Sequence, residues 1–199
     1  MRCPLPHFPI KMFSNYESNS HETLLELCTT YKLNTIGVDN YEDFIRTYKN
    51  HNAKLWNLYR VDKISQKDLR RERFQKTLSN FGINDFNLAE KIGEDYIDVC
   101  PRKNKLYPHA IEVLDYLKER YELHIITNGF NKTQHIKLEH SNLKPYFNQI
   151  ITSEKIGVKK PNPLIFSHAL TLANAIKDKS VYIGDNLIVD ILGCQNSGI

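Results

Sequence analysis

The chain has 199 residues, 41% hydrophobic and 25% charged, enough to bury a substantial core as one domain or as a domain carrying an insertion. Its 27 basic and 23 acidic residues leave a formal net charge of +4, spread along the chain rather than gathered in an arm; that field is too weak to imply a nucleic-acid partner. No apolar run approaches the ~18 residues of a membrane span, and the start MRCPLPHFPIKMF carries prolines where a signal peptide needs an uninterrupted apolar stretch.

The four cysteines, Cys3, Cys28, Cys100 and Cys194, are far apart, with no CxxC and no Cys/His cluster. Neither a disulfide framework nor a zinc site is suggested, and a reducing cytoplasm is the simpler home. The sequon at Asn131, Lys132 and Thr133 is then a chance match. The eight histidines show no ligand spacing; His135 and His140 are five apart, off a shared helical face.

From Asn15 to about Cys100 the chain is polar and helical, and it changes character after residues 101–105. Leu24, Leu25, Leu27 and Cys28 predict one amphipathic helix; Phe44, Tyr48, Leu55 and Tyr59, at spacings near 3.6, predict another. Two more are expected over 65–81 and 86–99. Ser65 with Asp68 three residues on makes a capping box with the shorter acid, and Gly82 is a plausible stop. The aromatics Tyr48, Trp56, Tyr59 and Phe74 fall at helical spacing and are expected to fill the core of this helical part. Lys67, Arg70, Arg71 and Arg73 are expected on a solvated helix face.

After Tyr107 the pattern switches to alternating helix and short buried strand. Pro108 suits a helix N1 position, Ile111, Leu114 and Leu117 line one face, and Leu123 to Ile126 form a compact apolar run ending at Thr127-Asn128-Gly129. A helix over 133–140, a strand over 149–152, a helix over 163–174, a strand over 181–184 and a final helix from Leu187 follow. This alternation predicts an α/β fold, a doubly wound parallel sheet with helices on both faces.

Three segments at strand ends could carry chemistry, because ligands of open α/β sheets bind there. Thr127-Asn128-Gly129 offers a hydroxyl and backbone N–H groups to phosphate oxygens, or is simply a turn. Lys160, ahead of Pro161, suits a point charge aimed at an anion, or sits in a solvated loop. Asp185 stands at the tip of a buried strand, with Asp190 in the first turns of the next helix. Hard carboxylate oxygens there suit Mg²⁺, which binds one or two carboxylates plus waters and phosphate oxygens; alternatively Asp185 is an N-cap and Asp190 an exposed charge.

Together, in this order and spacing, these residues resemble motifs two, three and four of the haloacid dehalogenase superfamily. The match comprises the hydroxyl of Thr127, the lysine before proline at Lys160, and the Gly-Asp-x4-Asp of Gly184, Asp185 and Asp190. The helical stretch resembles that superfamily's all-α cap. Residues 52–56, Leu58-Tyr59-Arg60 and Gly157-Val158 are similar to cytosolic nucleotidases acting on pyrimidine nucleoside monophosphates. The resemblance implies residues 15–103 as cap and 104–199 as α/β core, and a phosphoric monoester hydrolase working through an aspartyl-phosphate. It implies Mg²⁺ on Asp185, phosphate on Thr127, Asn128, Gly129 and Lys160, and Asp190 binding the metal through water or orienting Lys160. Thr127, Lys160 and Asp190 would be the catalytic set. The expected partner is a small phosphorylated substrate, most specifically a nucleoside monophosphate, with no nucleic acid and no membrane, on a monomer or homodimer.

The superfamily's first motif, an apolar strand followed by Asp-x-Asp-x-Thr, is missing. Counting back from Asn15-Tyr16 puts its positions near Phe8, Ile10 and Met12, which offer no nucleophile and no metal oxygen. Residues 1–14 therefore read as an atypical leader in place of the first core strand, the more so because Pro4, Pro6 and Pro9 lack the N–H that a central strand donates. The end at Gly198-Ile199, just past the fourth motif, reads as short. Three readings stay open: a nucleotidase-type phosphatase, another enzyme of the superfamily such as a haloacid dehalogenase or phosphoglucomutase, and a phosphate-binding pseudoenzyme or fragment.

Overall fold

The computed structural model describes residues 13–199 and, through its backbone, the strand Leu5–Phe8. The chain divides into two compact units, Met1–Tyr16 with Pro101–Ile199, and Glu17–Cys100.

The second unit is helical. Its helices are α1 (Tyr16–Thr30), α2 (Tyr41–Arg60), α3 (Gln66–Ser79) and α4 (Phe86–Val99). Each of the last three begins at a side chain that satisfies otherwise orphaned N–H groups. Asn40 accepts from Glu42 and Asp43, and Asp85 accepts from Leu88. Ser65 and Asp68 form the expected reciprocal capping box. Gly82, with φ at +75°, lies just past α3, and its amide donates back to the Ser79 carbonyl, as a stop requires.

Of the expected aromatic stripe, Tyr48, Tyr59 and Phe74 are core and Trp56 is half-buried. Tyr48, Phe74 and Tyr96 are fully buried, with ring centroids 4.8 to 5.5 Å apart, a spacing that adds quadrupole attraction to area burial. Arg73 departs from the solvated face expected of its run. It is 5% exposed, its guanidinium 4.8 Å from the Tyr96 ring centroid and 5.4 Å from that of Phe74. A weakly hydrated planar cation can be buried against aromatic faces where an ammonium would not be.

The first unit is the α/β core. Strands β1 (Leu5–Phe8), β2 (Leu123–Thr127), β3 (Phe147–Thr152) and β4 (Ser180–Tyr182) form a sheet in the order β3-β2-β1-β4, every pairing parallel. The leader thus supplies the first core strand, correcting the expectation that its prolines exclude one. Pro6 lies opposite Val181, and its missing N–H removes one donor from the ladder, while the flanking positions stay in register on both sides: His7 opposite His124 and Tyr182, Phe8 opposite Ile125. Pro4, Pro9, Ile10 and Met12 lie outside the described residues.

Period-two alternation along β2 splits the core into two layers. On one face Leu123 and Ile125 join Ala110 and Leu114 of α5 (Ala110–Lys118), Leu138 of α6 (Asn131–His140), Phe13 and Phe147. Ile126 packs on the other face with Ile151, with Ile165, Phe166 and Ala169 of α8 (Pro163–Leu172), and with Cys194 of α9 (Gly193–Ser197). The one-turn α7 (Ser153–Ile156) follows β3 and precedes α8 in the chain. Each such aliphatic side chain contributes about 1.5–3 kcal/mol on full burial. Helices on both faces of a parallel sheet make this a doubly wound fold.

Several boundaries differ from the sequence-based ones. Pro108 is not helical: α5 starts two residues later, after His109 in a left-handed conformation (φ +63°). β4 stops at Tyr182 rather than 184, and the segment after it, Leu187–Leu192, is wound as a π-helix that leads into α9. Its N-cap is Asn186, which accepts from the Ile188 and Val189 amides, not Asp185. No helix among the described residues is long and apolar enough to cross a membrane.

Candidate active site

All three sequence-marked segments leave carboxyl ends of the parallel strands. Because the chain passes from β1 to β2 and β3 on one side, then to β4 on the other, β1 sits at the switch point, where the crevice of such sheets opens.

Lys160 is the centre of the arrangement. It is 4% exposed, and its ammonium donates to Asp190 Oδ1 at 2.5 Å and to the Tyr182 hydroxyl at 2.8 Å. Tyr182 in turn donates to Asp190 Oδ1 at 2.9 Å, and the Asn186 amide donates to Asp190 Oδ2 at 3.1 Å. Both oxygens of Asp190 are therefore occupied, which answers how a buried carboxylate is tolerated. Burial alone would raise the Asp190 carboxyl, but the Lys160 charge beside it, with hydrogen bonds from Lys160, Tyr182 and the Asn186 amide, holds it below the ordinary aspartate range. Asp190 is thus an ion-pair partner rather than an exposed charge.

The backbone of Lys160 is fixed as well. Its amide donates to Asn128 Oδ1, and Asn128 Nδ2 donates to its carbonyl oxygen, both at 2.8 Å. The following peptide bond, to Pro161, is cis. The Asn128 side chain, on the segment expected to bind phosphate, thus positions the lysine loop. Gly129 likewise spends its amide on Thr127 Oγ1 at 2.9 Å, so the expected competition-free donor is taken. The same bond leaves the Thr127 hydroxyl proton available, since the oxygen accepts and the O–H can still donate. At the start of α6 the Asn131 amide is held by Glu154 Oε2 at 2.6 Å.

Asp185 is exposed, two residues before the π-helical segment. Among the described residues no three His, Cys, Asp or Glu side chains gather as a metal site. Asp190 Oδ1 takes two donors and Oδ2 one, so among the described residues the exposed carboxylate of Asp185 is the one of the two not engaged by the lysine; it fits a Mg²⁺ that takes most of its oxygens from water and phosphate. Gly184 keeps this turn tight: a Cβ there would stand 2.3 Å from Asp190 Cβ and 3.0 Å from Tyr182 Cε1.

Tyr182 was not singled out from the sequence, where it falls within the strand expected over 181–184. The strand expected to be buried is only partly so, with Val181 45% exposed and Tyr182 half-buried, because β4 is the last strand in the sheet order; the available signal was a phenol three residues before Asp185, whose hydroxyl needs a partner where it is covered. Of the expected first-motif positions, the backbone of Phe8 closes β1, while Ile10 and Met12 lie outside the described residues.

A doubly wound parallel core, a separate helical unit inserted in its sequence, and a buried lysine–aspartate pair on the segments that follow β3 and β4 define the class of protein. The chain belongs to the haloacid dehalogenase-like hydrolases, whose family model matches residues 38–199. It is 32% identical over 159 residues to the pyrimidine 5'-nucleotidase YjjG of Escherichia coli, covering 79% of this chain and 68% of that protein. To the pyrimidine 5'-nucleotidase PynA of Streptococcus pneumoniae it is 33% identical over 180 residues, covering 87% and 73%. The magnesium-bound HAD-hydrolase YfnB of Bacillus subtilis superposes with a TM-score of 0.89 at 23% identity, over 100% of this chain and 87% of that one, a likeness of fold.

Proposed function

We propose that the site is that of a phosphoric monoester hydrolase of 5'-nucleotidase type, taking the phosphate of a pyrimidine nucleoside monophosphate. The observation that carries this reading is the buried Lys160 ammonium, held where the loops after β2, β3 and β4 meet. A fixed charge needs no reorganisation when charge develops on a phosphoryl oxygen, and positioning of this kind is most of what phosphoryl transfer requires. The two relatives named as pyrimidine 5'-nucleotidases support the substrate class. Thr127 donates its hydroxyl proton to a second phosphoryl oxygen, Asn128 and Gly129 shape the loop that carries it, and Asp190 orients Lys160. Asp185 would hold Mg²⁺, which when bound neutralises charge on the transferring group. The buried free thiols of Cys28, Cys100 and Cys194 support a reducing, cytoplasmic setting.

A second reading has its own observation. The sequence contains no aspartate or glutamate before Glu17, so no carboxylate from the first strand is there to take the phosphoryl group. In that reading the chain binds a phosphate ester without turning it over. Phosphate release from pyrimidine nucleoside monophosphates with Mg²⁺, run beside calorimetric binding, separates the two. Turnover abolished by Lys160→Ala supports the hydrolase and sinks the binder. Saturable binding lost in Lys160→Ala, with no release, supports the binder. Neither binding nor release overturns both.

A further inference from the structure

We infer that Tyr182 is a positioning residue for Lys160, its hydroxyl seated between the ammonium and Asp190 so that the lysine charge points in one direction only. The inference builds on the phosphate reading of the site, but its geometry stands independently. Lys160 donates to Tyr182 at 2.8 Å, Tyr182 donates to Asp190 Oδ1 at 2.9 Å, and Lys160 donates to the same oxygen, closing a triangle of three side chains. The polarity of each side is fixed. Ionised Asp190 can only accept, the ammonium can only donate, and the phenol therefore sends its one proton to Asp190 and turns a lone pair to Lys160. Burial, then the negative charge of Asp190, push the phenol far above its ordinary value, so it keeps that proton.

The half-buried ring is packed from two sides. Phe166 meets it edge-on, centroids 5.2 Å apart at 84°, and Gly184 presents a bare Cα where any Cβ would press on ring atom Cε1. A lysine held by one carboxylate oxygen can swing its long stem about that contact; a second acceptor at a fixed angle removes the swing. The role is distinct from that of Asp190, which supplies the counter-charge. Tyr182 touches no reacting atom and acts through Lys160.

The test compares the full chain with Tyr182→Phe, which keeps the ring and removes the hydroxyl, using inorganic phosphate as calorimetric probe and the Lys160 ammonium resonance as structural probe. Lys160→Ala assigns that resonance. The expected result is a cooperatively folded Tyr182→Phe protein with a shifted Lys160 resonance, faster ammonium-proton exchange and about tenfold weaker phosphate binding, the loss of one hydrogen bond to a charged group. An unchanged Lys160 resonance overturns the inference, whether or not affinity falls, because a merely structural tyrosine would leave the ammonium as it was. Should the wild-type chain bind no phosphate, the functional reading fails while the resonance still decides this one. Should Tyr182→Phe not fold, the unaltered chain decides: a nuclear Overhauser contact between the Tyr182 hydroxyl and Lys160 ammonium protons is required, and its absence overturns the proposal.

Discussion

Asn128 and Lys160, 32 residues apart, exchange two hydrogen bonds of 2.8 Å, the asparagine side chain pairing with the lysine main chain as a neighbouring strand would. This joins the loop after β2 to the loop after β3 and settles the lysine's backbone before its ammonium is placed.

Replacing Asn128 by alanine removes its side-chain bonds to the N–H and C=O of Lys160. The expected loss is about 1–3 kcal/mol of unfolding free energy, measured in urea. Asn128→Asp, which restores an acceptor but not the donor, should recover the amide contact only and place an oxygen against the Lys160 carbonyl, so it should not exceed the alanine variant by much.

Truncating either partner of the Lys160–Asp190 pair strands a buried charge, with an expected cost of about 3–5 kcal/mol. The double variant Lys160→Met with Asp190→Leu removes both charges and is expected to be less destabilised than either single change. A double variant as unstable as the sum of the two would show that the pair is not the coupled unit described.

The pH dependence follows from the lowered Asp190 carboxyl. A group depressed in the folded state stabilises it fully above its unfolded value, about pH 4, and the contribution is lost as pH falls through the folded value. The stability gap between wild type and Asp190→Asn is therefore expected to be constant from neutral pH down to about 4 and to narrow below it. Urea titrations at pH 7, 5, 4 and 3 read this directly.

Gly184→Ala tests the packing of the turn. The added methyl would sit on Asp190 Cβ and against the Tyr182 ring, neither of which is the far end of a flexible chain. Overpacking of this kind costs about 1–3 kcal/mol. A melting temperature equal to that of wild type would argue against the close approach.

How far the sequence foretold this structure depended on the range of the cause. Caps and periodicity act over a few residues, which is why the Ser65–Asp68 box, the aromatic core of the helical unit and the strand Leu123–Thr127 were legible. Lys160, Asp185 and Asp190 stand out by type and spacing after strands; the structure brings Lys160 and Asp190 together and leaves Asp185 exposed. Three features were not legible, each for a long-range reason. Arg73 reads as surface until Tyr96, 23 positions on, offers its ring. Nothing near Asn128 in the sequence says that its side chain ties down the main chain of Lys160, 32 residues on. Pro6 reads as a strand breaker, yet a four-residue strand flanked by β2 and β4 tolerates one missing donor.

The pairing of β4 with β1 sets His7 opposite Tyr182, and this alignment does more than place a hydroxyl. A slip of one residue would send Tyr182 to the opposite face of the sheet and bring Val181 or Ile183 toward the lysine, neither with an oxygen to offer. The ammonium would then lie buried with one acceptor fewer, a penalty that aliphatic packing cannot supply, since one apolar side chain replaces another at little cost. The triangle of Lys160, Tyr182 and Asp190 therefore favours the observed register over a slipped one on polar grounds.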